Sequence, residues 1–292
     1  MDIKASDVKT LRDMTGAGML DCKKALTETN GDIDKAVDYL REKGISKAAK
    51  KQDRIAAEGL ANIYIEGNKA VILEVNSETD FVSKNQEFQN MVKTIGETIL
   101  KNDVSTVEEV LSLSTGSVSV NDLIINETAT IGEKLSLRRF ALLTKNDDEF
   151  FGSYLHMGGR IASLVIVKNG NEAIAKDVAM QSAAMKPKYV NRDEVPNSEV
   201  EHERTVLTEQ ALNEGAKKEF VDRIIAGRLN KFFAEICLVE QAFVKDGDLT
   251  VQAYLDKTNS TVIKMVRYEV GEGMEKRNDD FASEVMSQIN NA

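Results

Sequence analysis

A charge and a large aromatic ring stand side by side in the segment Thr79-Asp80-Phe81-Val82, between a strand-like and a helix-like stretch. One interpretation is structural: Asp80 caps the following helix and Phe81 is buried in the core, since both are common roles for these residue types. The other interpretation is functional, because a loop on a rigid scaffold can present a carboxylate and a ring to a partner. From the residues of this segment alone, the structural interpretation is favoured.

A second segment that could do chemistry is His156-Met157-Gly158-Gly159-Arg160, which lies between two strand-like stretches. Glycine takes positive φ without a steric penalty, so Gly158 and Gly159 predict the tip of a β-hairpin. An imidazole at such a tip is either an exposed turn residue or a contact to a partner. From the residues of this segment alone, a plain turn with an exposed histidine is favoured.

The motifs of a nucleotide-binding or metal-dependent enzyme are missing from the sequence. There is no Gly-x-x-x-x-Gly-Lys-Ser/Thr phosphate loop, and Gly16-Ala17-Gly18 lacks the preceding strand and the third glycine of a dinucleotide fingerprint. His202 has no second histidine at metalloprotease spacing, and Cys22 and Cys237 have no nearby histidine in sequence, although pairing in space stays open. We therefore predict no cofactor, no metal and no catalytic residue.

The charge balance argues against nucleic acid as the main ligand. The 292 residues include 38 basic and 48 acidic side chains, a formal net charge of -10, which opposes the positive surface that phosphate backbones require. Aromatic residues make up 5% and tryptophan is absent, so few side chains are available to stack on nucleic-acid bases. A protein partner is favoured instead.

Nothing in the sequence points to a membrane. Asp2 and Asp7 place acids where a signal or transit peptide avoids them, and no apolar run approaches transmembrane length. The two cysteines are far apart and are expected to be ordinary reduced thiols. We expect a cytoplasmic protein without membrane contacts.

The stretch from Ser6 to Gly44 predicts three short helices. The first two end near Thr15 and Asn30, and Asp32 is suited to cap the third, which is expected to stop at Gly44. Residues 43–54 are basic and lack periodic apolar residues, so a solvated tether is expected there. So small a helical unit indicates a docking head.

After the head, the hydrophobic period becomes strand-like and one order of elements occurs twice. A hairpin over residues 60–75 precedes a helix for which Ser83 and Gln86 form a capping box. A second hairpin, with its tip at 156–160, precedes a helix that ends at Met185. Hairpin then helix, twice, predicts an α+β core of two related halves.

Two long charged helices are expected at 199–215 and 217–237. Because the break between them is short, they should form an antiparallel hairpin. Strand-like sequence resumes at 242–244 and 262–270, so this hairpin is an insertion into the second core half. An amphipathic helix is predicted near the end of the chain, at 281–289.

Two long motifs resemble the signatures of a known family. Residues 11–26 contain Leu-Arg-Asp-Met-Thr-Gly-Ala-Gly-Met and then Asp-Cys-Lys-Lys-Ala-Leu, which is similar to the N-terminal signature of the elongation factor Ts family. Residues 74–84, Glu-Val-Asn-Ser-Glu-Thr-Asp-Phe-Val-Ser-Lys, resemble its second signature. The resemblance continues at 131–139, 152–160 and 270–273 and covers essentially the whole chain.

The resemblance implies an α+β protein with a ubiquitin-associated-like three-helix N-terminal domain, a two-part core, a protruding helical hairpin and a C-terminal helical module. This layout agrees with the one expected from periodicity. The predicted segments are the head and tether at 1–54, the core parts at 55–150 and at 151–190 with 238–270, the hairpin at 191–237 and the C-terminal module at 271–292.

The resemblance also implies a function without enzymatic turnover: guanine nucleotide exchange on the GTPase elongation factor Tu. Residues of one segment are then expected to disturb the magnesium site of the partner: Thr79, Asp80, Phe81 and Val82. A second contact, nearer the partner's phosphate loop, is expected from His156, Gly158, Gly159 and Arg160. The head residues expected to bind the partner are Leu11, Arg12, Thr15, Gly16, Gly18 and Met19.

Other arrangements and functions stay open from sequence. In some relatives the helical hairpin is a self-association or accessory arm, so a homodimer through the hairpin or the C-terminal module is one expectation. A peptide- or ubiquitin-binding adaptor would use the three-helix head alone and leave residues 79–82 dispensable. A hydrolase would use carboxylates of the acidic surface.

Overall fold

The computed structural model describes residues 3–15 and 17–275. Helices and strands are both abundant in these ranges, which confirms the predicted mixture of α and β structure. Gly16 and the helix predicted at 281–289 lie outside the described residues.

The chain divides into two compact units. Of the described residues, the first unit contains those up to Ala61, Leu73–Phe140 and those from Glu269, and the second contains Asn62–Ile72 and Ala141–Tyr268. The five finer segments expected from sequence stay a prediction.

Three helices form the head, in the first unit. They are α1 Ala5–Thr15, α2 Met19–Glu28 and α3 Ile33–Ala49. Asp32 caps α3 as predicted, because its carboxylate accepts a hydrogen bond of 3.1 Å from the backbone N–H of Lys35. The small core of the head is made of Val8, Leu11, Cys22, Ala25, Leu26 and Ala36.

The hairpin and helix predicted after the head are both present. The strands are β1 Glu58–Glu66 and β2 Lys69–Ser77, and the helices that follow are α4 Gln86–Leu100, α5 Val107–Ser112 and α6 Val120–Ile131. With β3, Ser136–Thr144, the strands form a sheet of order β1-β2-β3. The predicted apolar face of α4 is buried: Phe88, Met91, Val92, Ile95 and Ile99.

The predicted capping box at the start of α4 is wrong. The cap is Asn85, whose side-chain oxygen accepts from the backbone N–H groups of Glu87 at 2.7 Å and of Phe88 at 3.2 Å. Ser83 lies in a 3₁₀ turn, Val82–Lys84, and its hydroxyl donates to the Asp80 carbonyl at 2.6 Å. A better-placed acceptor two residues later therefore starts the helix.

The end predicted for α3 at Gly44 is also wrong, since the helix continues to Ala49. A Cβ at Gly44 would lie 3.5 Å from the Cβ of Ala129 on α6, an ordinary van der Waals distance, so Gly44 is an interior position of α3 that faces α6. The residues after α3 are not a free tether, because the Lys51 ammonium donates to the Gly132 carbonyl. The basic run thus adds contacts within the first unit.

The second hairpin, in the second unit, consists of β4 Glu149–His156 and β5 Ile161–Lys168, paired antiparallel from Glu149↔Lys168 to His156↔Ile161. The helix α7, Glu172–Met185, follows and ends where it was predicted to end. It packs closely against the hairpin, because a Cβ at Gly152 would lie 1.9 Å from the Ala175 carbonyl oxygen. Only glycine allows this approach.

The two predicted long helices are α8 Asn197–Asn213 and α9 Lys218–Ile236, and they pack on one another. The side chains between them are Leu207, Val221, Ile225 and Leu229. At the base of this helical pair Arg192 pairs with Glu240, at 2.6 Å for one of its two hydrogen bonds, and lies 4.5 Å from the centre of the Phe233 ring. Through these contacts Arg192 joins the segment before α8 to α9 and to the segment after it.

Strand structure resumes after α9, as predicted, with two additions. Strands β6 Ala242–Phe243 and β7 Asp246–Thr250 form a small sheet, and α10 Val251–Asp256 follows; β7 and α10 were not predicted. Strand β8, Thr261–Glu269, then completes the sheet of order β4-β5-β8.

Candidate partner-binding site

The 79–82 loop, Thr79 to Val82, leaves β2 and leads into α4. Phe81 is 77% exposed and Asp80 is exposed as well, whereas Val82 is buried. Because Asn85 caps α4, the interpretation with Asp80 as the cap and Phe81 in the core is wrong. The loop holds a ring and a carboxylate in solvent and anchors itself through Val82.

Thr79 is fixed by one carboxylate. Glu133, just after α6, accepts the backbone N–H of Thr79 at 2.9 Å and its hydroxyl at 2.7 Å. The Thr79 carbonyl in turn accepts from the Ser77 hydroxyl at 2.9 Å. Hydrogen bonds to an ionised acceptor are short and strong, so the start of the loop has a defined position.

Glu78, the residue before Thr79, makes a second hydrogen bond between the same two segments, in the opposite direction. Glu78 accepts the backbone N–H of Lys134 at 2.7 Å and pairs with Arg54 at 3.3 Å, and its side chain is only 10% exposed. The Lys134 ammonium donates to the Arg54 carbonyl at 3.0 Å. Residues 78–79 and 133–134 are therefore joined in both directions.

A buried carboxylate lies further back on β2. Glu74 is fully buried. Burial raises its pKa, but the hydrogen bonds and charges around it outweigh burial and hold the pKa below its usual range. Its donors are the Gly271 N–H at 2.9 Å, Arg138 at 2.9 Å, Asn76 at 3.0 Å and Arg139 at 2.6 Å.

The predicted tip at 156–160 is present between β4 and β5. Its backbone turns through Met157, Gly158 and Gly159, with φ of 51°, 65° and 93°. The His156 ring stacks on Tyr154, with centroids 6.2 Å apart and planes at 23°. His156 is exposed and Met157 is 70% exposed, so the tip presents an imidazole beside an apolar side chain.

The predicted head residues differ in exposure. Leu11 is fully buried in the head core, and the Thr15 hydroxyl donates to the Leu11 carbonyl at 2.7 Å. Arg12, Gly18 and Met19 are exposed. Leu11 is therefore a core residue that no partner can reach in this structure.

Two exposed apolar side chains extend the surface of the head. Met14, near the end of α1, is 58% exposed, and Leu20, in the first turn of α2, is 83% exposed. With Met19, 48% exposed, they form what we call the head patch. Sequence reasoning missed Met14 and Leu20, although apolar residues beside a Gly-rich turn were a usable signal.

Sequence reasoning also assigned no role to the two glutamates that hold the loop. Glu133 and Thr79 are 54 positions apart, and neither periodicity nor a short motif indicates such a contact. The loop and the head residues lie in the first unit, and the hairpin tip lies in the second.

The cysteines are poor candidates for an enzymatic nucleophile. Both are buried. Burial raises the pKa of Cys22, and burial together with the nearby Glu240 raises the pKa of Cys237 to about 11. A thiolate is the reactive form, so neither thiol is activated at neutral pH.

In the described part of the chain, no three or more His, Cys, Asp or Glu side chains come together as a metal site. Over the same residues, none of the helices combines the length and apolar character that a bilayer crossing requires.

Comparison with protein families gives one match. Residues 78–272 match the family described as Elongation factor TS, which is more than half of the chain. The matched range includes the 79–82 loop, Glu133 and the hairpin tip, and it begins after the head. The chain therefore belongs to the elongation factor Ts family, whose members act as nucleotide exchange factors for elongation factor Tu in translation elongation.

Proposed function

We propose that this chain releases GDP from elongation factor Tu by placing the 79–82 loop beside the magnesium ion of its partner. The observation that carries the proposal is Phe81, a ring left 77% in solvent on a loop that is otherwise anchored. Exposed aromatic side chains in defined positions are typical anchors of protein interfaces. Members of the family act as nucleotide exchange factors.

The thermodynamics define what the loop must do. Nucleotide affinities near nanomolar correspond to about 12 kcal/mol, so spontaneous release is slow. A factor that binds the nucleotide-free GTPase more tightly than the loaded form lowers nucleotide affinity by the same factor. The loop must therefore bind the nucleotide-free GTPase more tightly than it binds the nucleotide-loaded GTPase.

Asp80 and Phe81 suit that requirement. Magnesium bound to nucleotide takes oxygen ligands in strict octahedral geometry and tolerates little displacement. A carboxylate brought near it competes for the ion and repels the β-phosphate, and the ring occupies space that the loaded site needs. Both effects act only against the loaded state.

We assign the second contact to the hairpin tip, with His156, Gly158 and Arg160 close to the partner's phosphate loop, whereas Gly159 is buried and would support the turn from below. The exposure of His156 and of Met157 supports this assignment. The turn at positive φ keeps the tip narrow, which lets it approach a partner closely.

We assign the first docking contact to the head patch together with Arg12 and Gly18. Exposed apolar groups on an otherwise charged surface mark interaction sites. A docked head raises the effective concentration of the loop at the nucleotide site. Of the other head residues, Leu11 and Thr15 would support this surface from below.

Further properties of the chain belong to the same proposal. We infer a cytoplasmic protein that binds neither nucleic acid nor membranes, in keeping with its net charge of -10. Self-association through the helical pair α8 and α9 is supported by Leu212 and Phe220, which are 45% and 50% exposed. An adaptor that works through the head alone is not favoured, because the family match lies outside the head.

The experiment is stopped-flow release of fluorescent GDP from elongation factor Tu. At substoichiometric concentration the chain should accelerate release over many turnovers and should itself hydrolyse no GTP. Captured elongation factor Tu should leave the immobilised chain on addition of GDP with magnesium. Unaccelerated release at saturating concentration of the chain would contradict the proposal.

A further inference from the structure

We propose that Glu133 is a positioning residue for nucleotide exchange: it aims the 79–82 loop, and Glu78 supports it from the opposite direction. This inference rests on the proposed function of Asp80 and Phe81. It assigns a task to a side chain whose hydrogen bonds to Thr79 lie within this chain.

The contacts of Glu133 fix both the place and the rotation of Thr79. One carboxylate oxygen accepts the backbone N–H at 2.9 Å, and the other accepts the side-chain hydroxyl at 2.7 Å. Two acceptors on one planar group define a direction as well as a distance, as in other bidentate carboxylate contacts. Asp80 and Phe81 follow Thr79 directly, so their direction depends on this residue.

Glu78 makes the same kind of contact the other way. It accepts the backbone N–H of Lys134, the residue after Glu133, at 2.7 Å. Each of the two chain segments thus gives one carboxylate and one backbone N–H to the other. A shift of either segment along the other would break hydrogen bonds on both sides.

The support behind Glu133 is a regular element. Glu133 follows α6, which ends at Ile131 and is capped by Gly132 in the left-handed conformation with φ of 88°. The Lys51 ammonium donates to the Gly132 carbonyl, which fixes the last turn. Functional side chains are held most precisely when a rigid element carries their supporting residues.

Among the residues that it describes, the structure shows no hydrogen bonds to the side chains of Asp80 and Phe81 like those that hold Thr79. Phe81 is mostly in solvent, and the hydrogen bond at Asp80 uses its carbonyl, which accepts from Ser83 at 2.6 Å. Misplacement by about 1 Å costs a reacting group about 100-fold in rate. Loss of Glu133 should therefore slow exchange although the acting residues remain.

The test compares Glu133→Ala and Glu133→Gln in the full chain by stopped-flow GDP release. We expect Glu133→Ala to lower the maximal release rate about tenfold or more, with a smaller change in KM for elongation factor Tu. Glu133→Gln keeps one acceptor and should recover part of the rate. The Thr79 amide of the free protein should exchange its hydrogen faster in Glu133→Ala than in the unaltered chain.

A matched control is Glu109→Ala. Glu109 also accepts two backbone N–H groups, those of Ser105 at 2.7 Å and Thr106 at 3.1 Å, but at the start of α5. Its removal takes away the same charge and a similar set of hydrogen bonds. Exchange should keep the unaltered rate, and a loss equal to that of Glu133→Ala would overturn the inference.

The decisive experiment compares the double variant Asp80→Ala with Phe81→Ala and a triple variant that also carries Glu133→Ala. If Glu133 acts through the loop, the triple variant should exchange as slowly as the double variant and no slower. A further tenfold loss in that background would overturn the inference. If Glu133→Ala fails to fold, Thr79→Ala takes its place in the same comparison with the same expected outcome.

The outcomes separate the two proposals. A double variant that exchanges at the unaltered rate contradicts the proposed function of the loop. A slow double variant together with a fast, folded Glu133→Ala variant contradicts the positioning role alone.

Discussion

Glu74 shows how one residue can connect three parts of the chain. Its carboxylate on β2 binds Arg138 and Arg139 on β3 and the backbone N–H of Gly271 after β8. A buried charge is tolerated only when it is paired and hydrogen-bonded, and here both conditions are met. The strand that leads into the 79–82 loop is thereby fixed at its centre.

Replacing Glu74 by Gln should destabilise the fold strongly. Removing one partner of a buried ion pair costs about 3–5 kcal/mol of unfolding free energy, because the remaining charges stay buried. Urea unfolding at neutral pH measures this loss. Glu97→Gln on α4, whose side chain is 49% exposed, is a suitable control and should change stability by no more than about 0.5 kcal/mol.

The same variant should reveal the pH dependence of Glu74. Its pKa is lowered in the folded protein, so its stabilising contribution is complete above the unfolded pKa and is lost as the pH falls through the folded value. The difference in unfolding free energy between the two proteins should stay constant near neutral pH and shrink below about pH 4. A difference that grows on acidification would contradict the sign of the shift.

For single residues, the sequence predicted the positions of turns and loops better than the hydrogen bonds that hold them. The loop at 79–82 and the hairpin tip at 156–160 were located from periodicity and turn chemistry, whereas their binding roles came from the family resemblance and stay predictions. The Asp80 cap and the Ser83 capping box were wrong because local patterns rank several acceptors equally, whereas geometry selects Asn85. The contacts of Glu133 were out of reach because they are non-local.

Two glycines in regular elements, Gly152 and Gly227, should have opposite effects on stability when each is replaced by alanine. The sequence alone does not distinguish them. Gly152 lies under α7, where any side chain would meet the Ala175 carbonyl at 1.9 Å. Gly227 lies within α9, is exposed, and has no neighbouring atom within 4 Å of an added Cβ. The two positions therefore make a matched pair.

Gly152→Ala should destabilise the second unit by about 3 kcal/mol or prevent its folding, since backbone atoms must move to admit the methyl group. Gly227→Ala should stabilise the protein by about 0.5–1 kcal/mol, because alanine is the better helix former. Thermal unfolding of both variants checks the prediction. Equal effects would contradict the packing of α7 on β4.

Hydrophobic periodicity predicted the long helices and strands correctly. Both hairpins, the apolar face of α4 and the helices α8 and α9 were predicted within a few residues. Gly44 was misread because a glycine that ends a helix and one inside a helix look identical in sequence. The short elements β7 and α10 carry too few residues for a period to appear.

For the whole molecule, the head patch predicts an effect on affinity separate from the effect on rate. Leu20→Ala should raise KM for elongation factor Tu about fivefold or more, as loss of an interface anchor does, and leave the maximal rate unchanged. Stability should hold because Leu20 is 83% exposed. The control is Ile45→Ala, a residue 46% exposed on α3, which should leave both constants unchanged.

The chain by itself should bind no guanine nucleotide. Its sequence has no phosphate loop, and the proposed mechanism places the nucleotide entirely on the partner. Equilibrium dialysis with labelled GDP and magnesium should give no saturable binding at micromolar protein. Saturable binding would move the nucleotide site onto this chain and contradict the account.

The most direct test of the central claim measures stability and exchange on one preparation of Asp80→Ala with Phe81→Ala. The account predicts an almost unchanged melting temperature, because Phe81 is exposed, and release of fluorescent GDP from elongation factor Tu slowed about tenfold or more. Chelation of magnesium should narrow the difference from the unaltered chain, because it removes the ion that the loop displaces. A variant that melts early, or one that exchanges at the unaltered rate, would contradict the account.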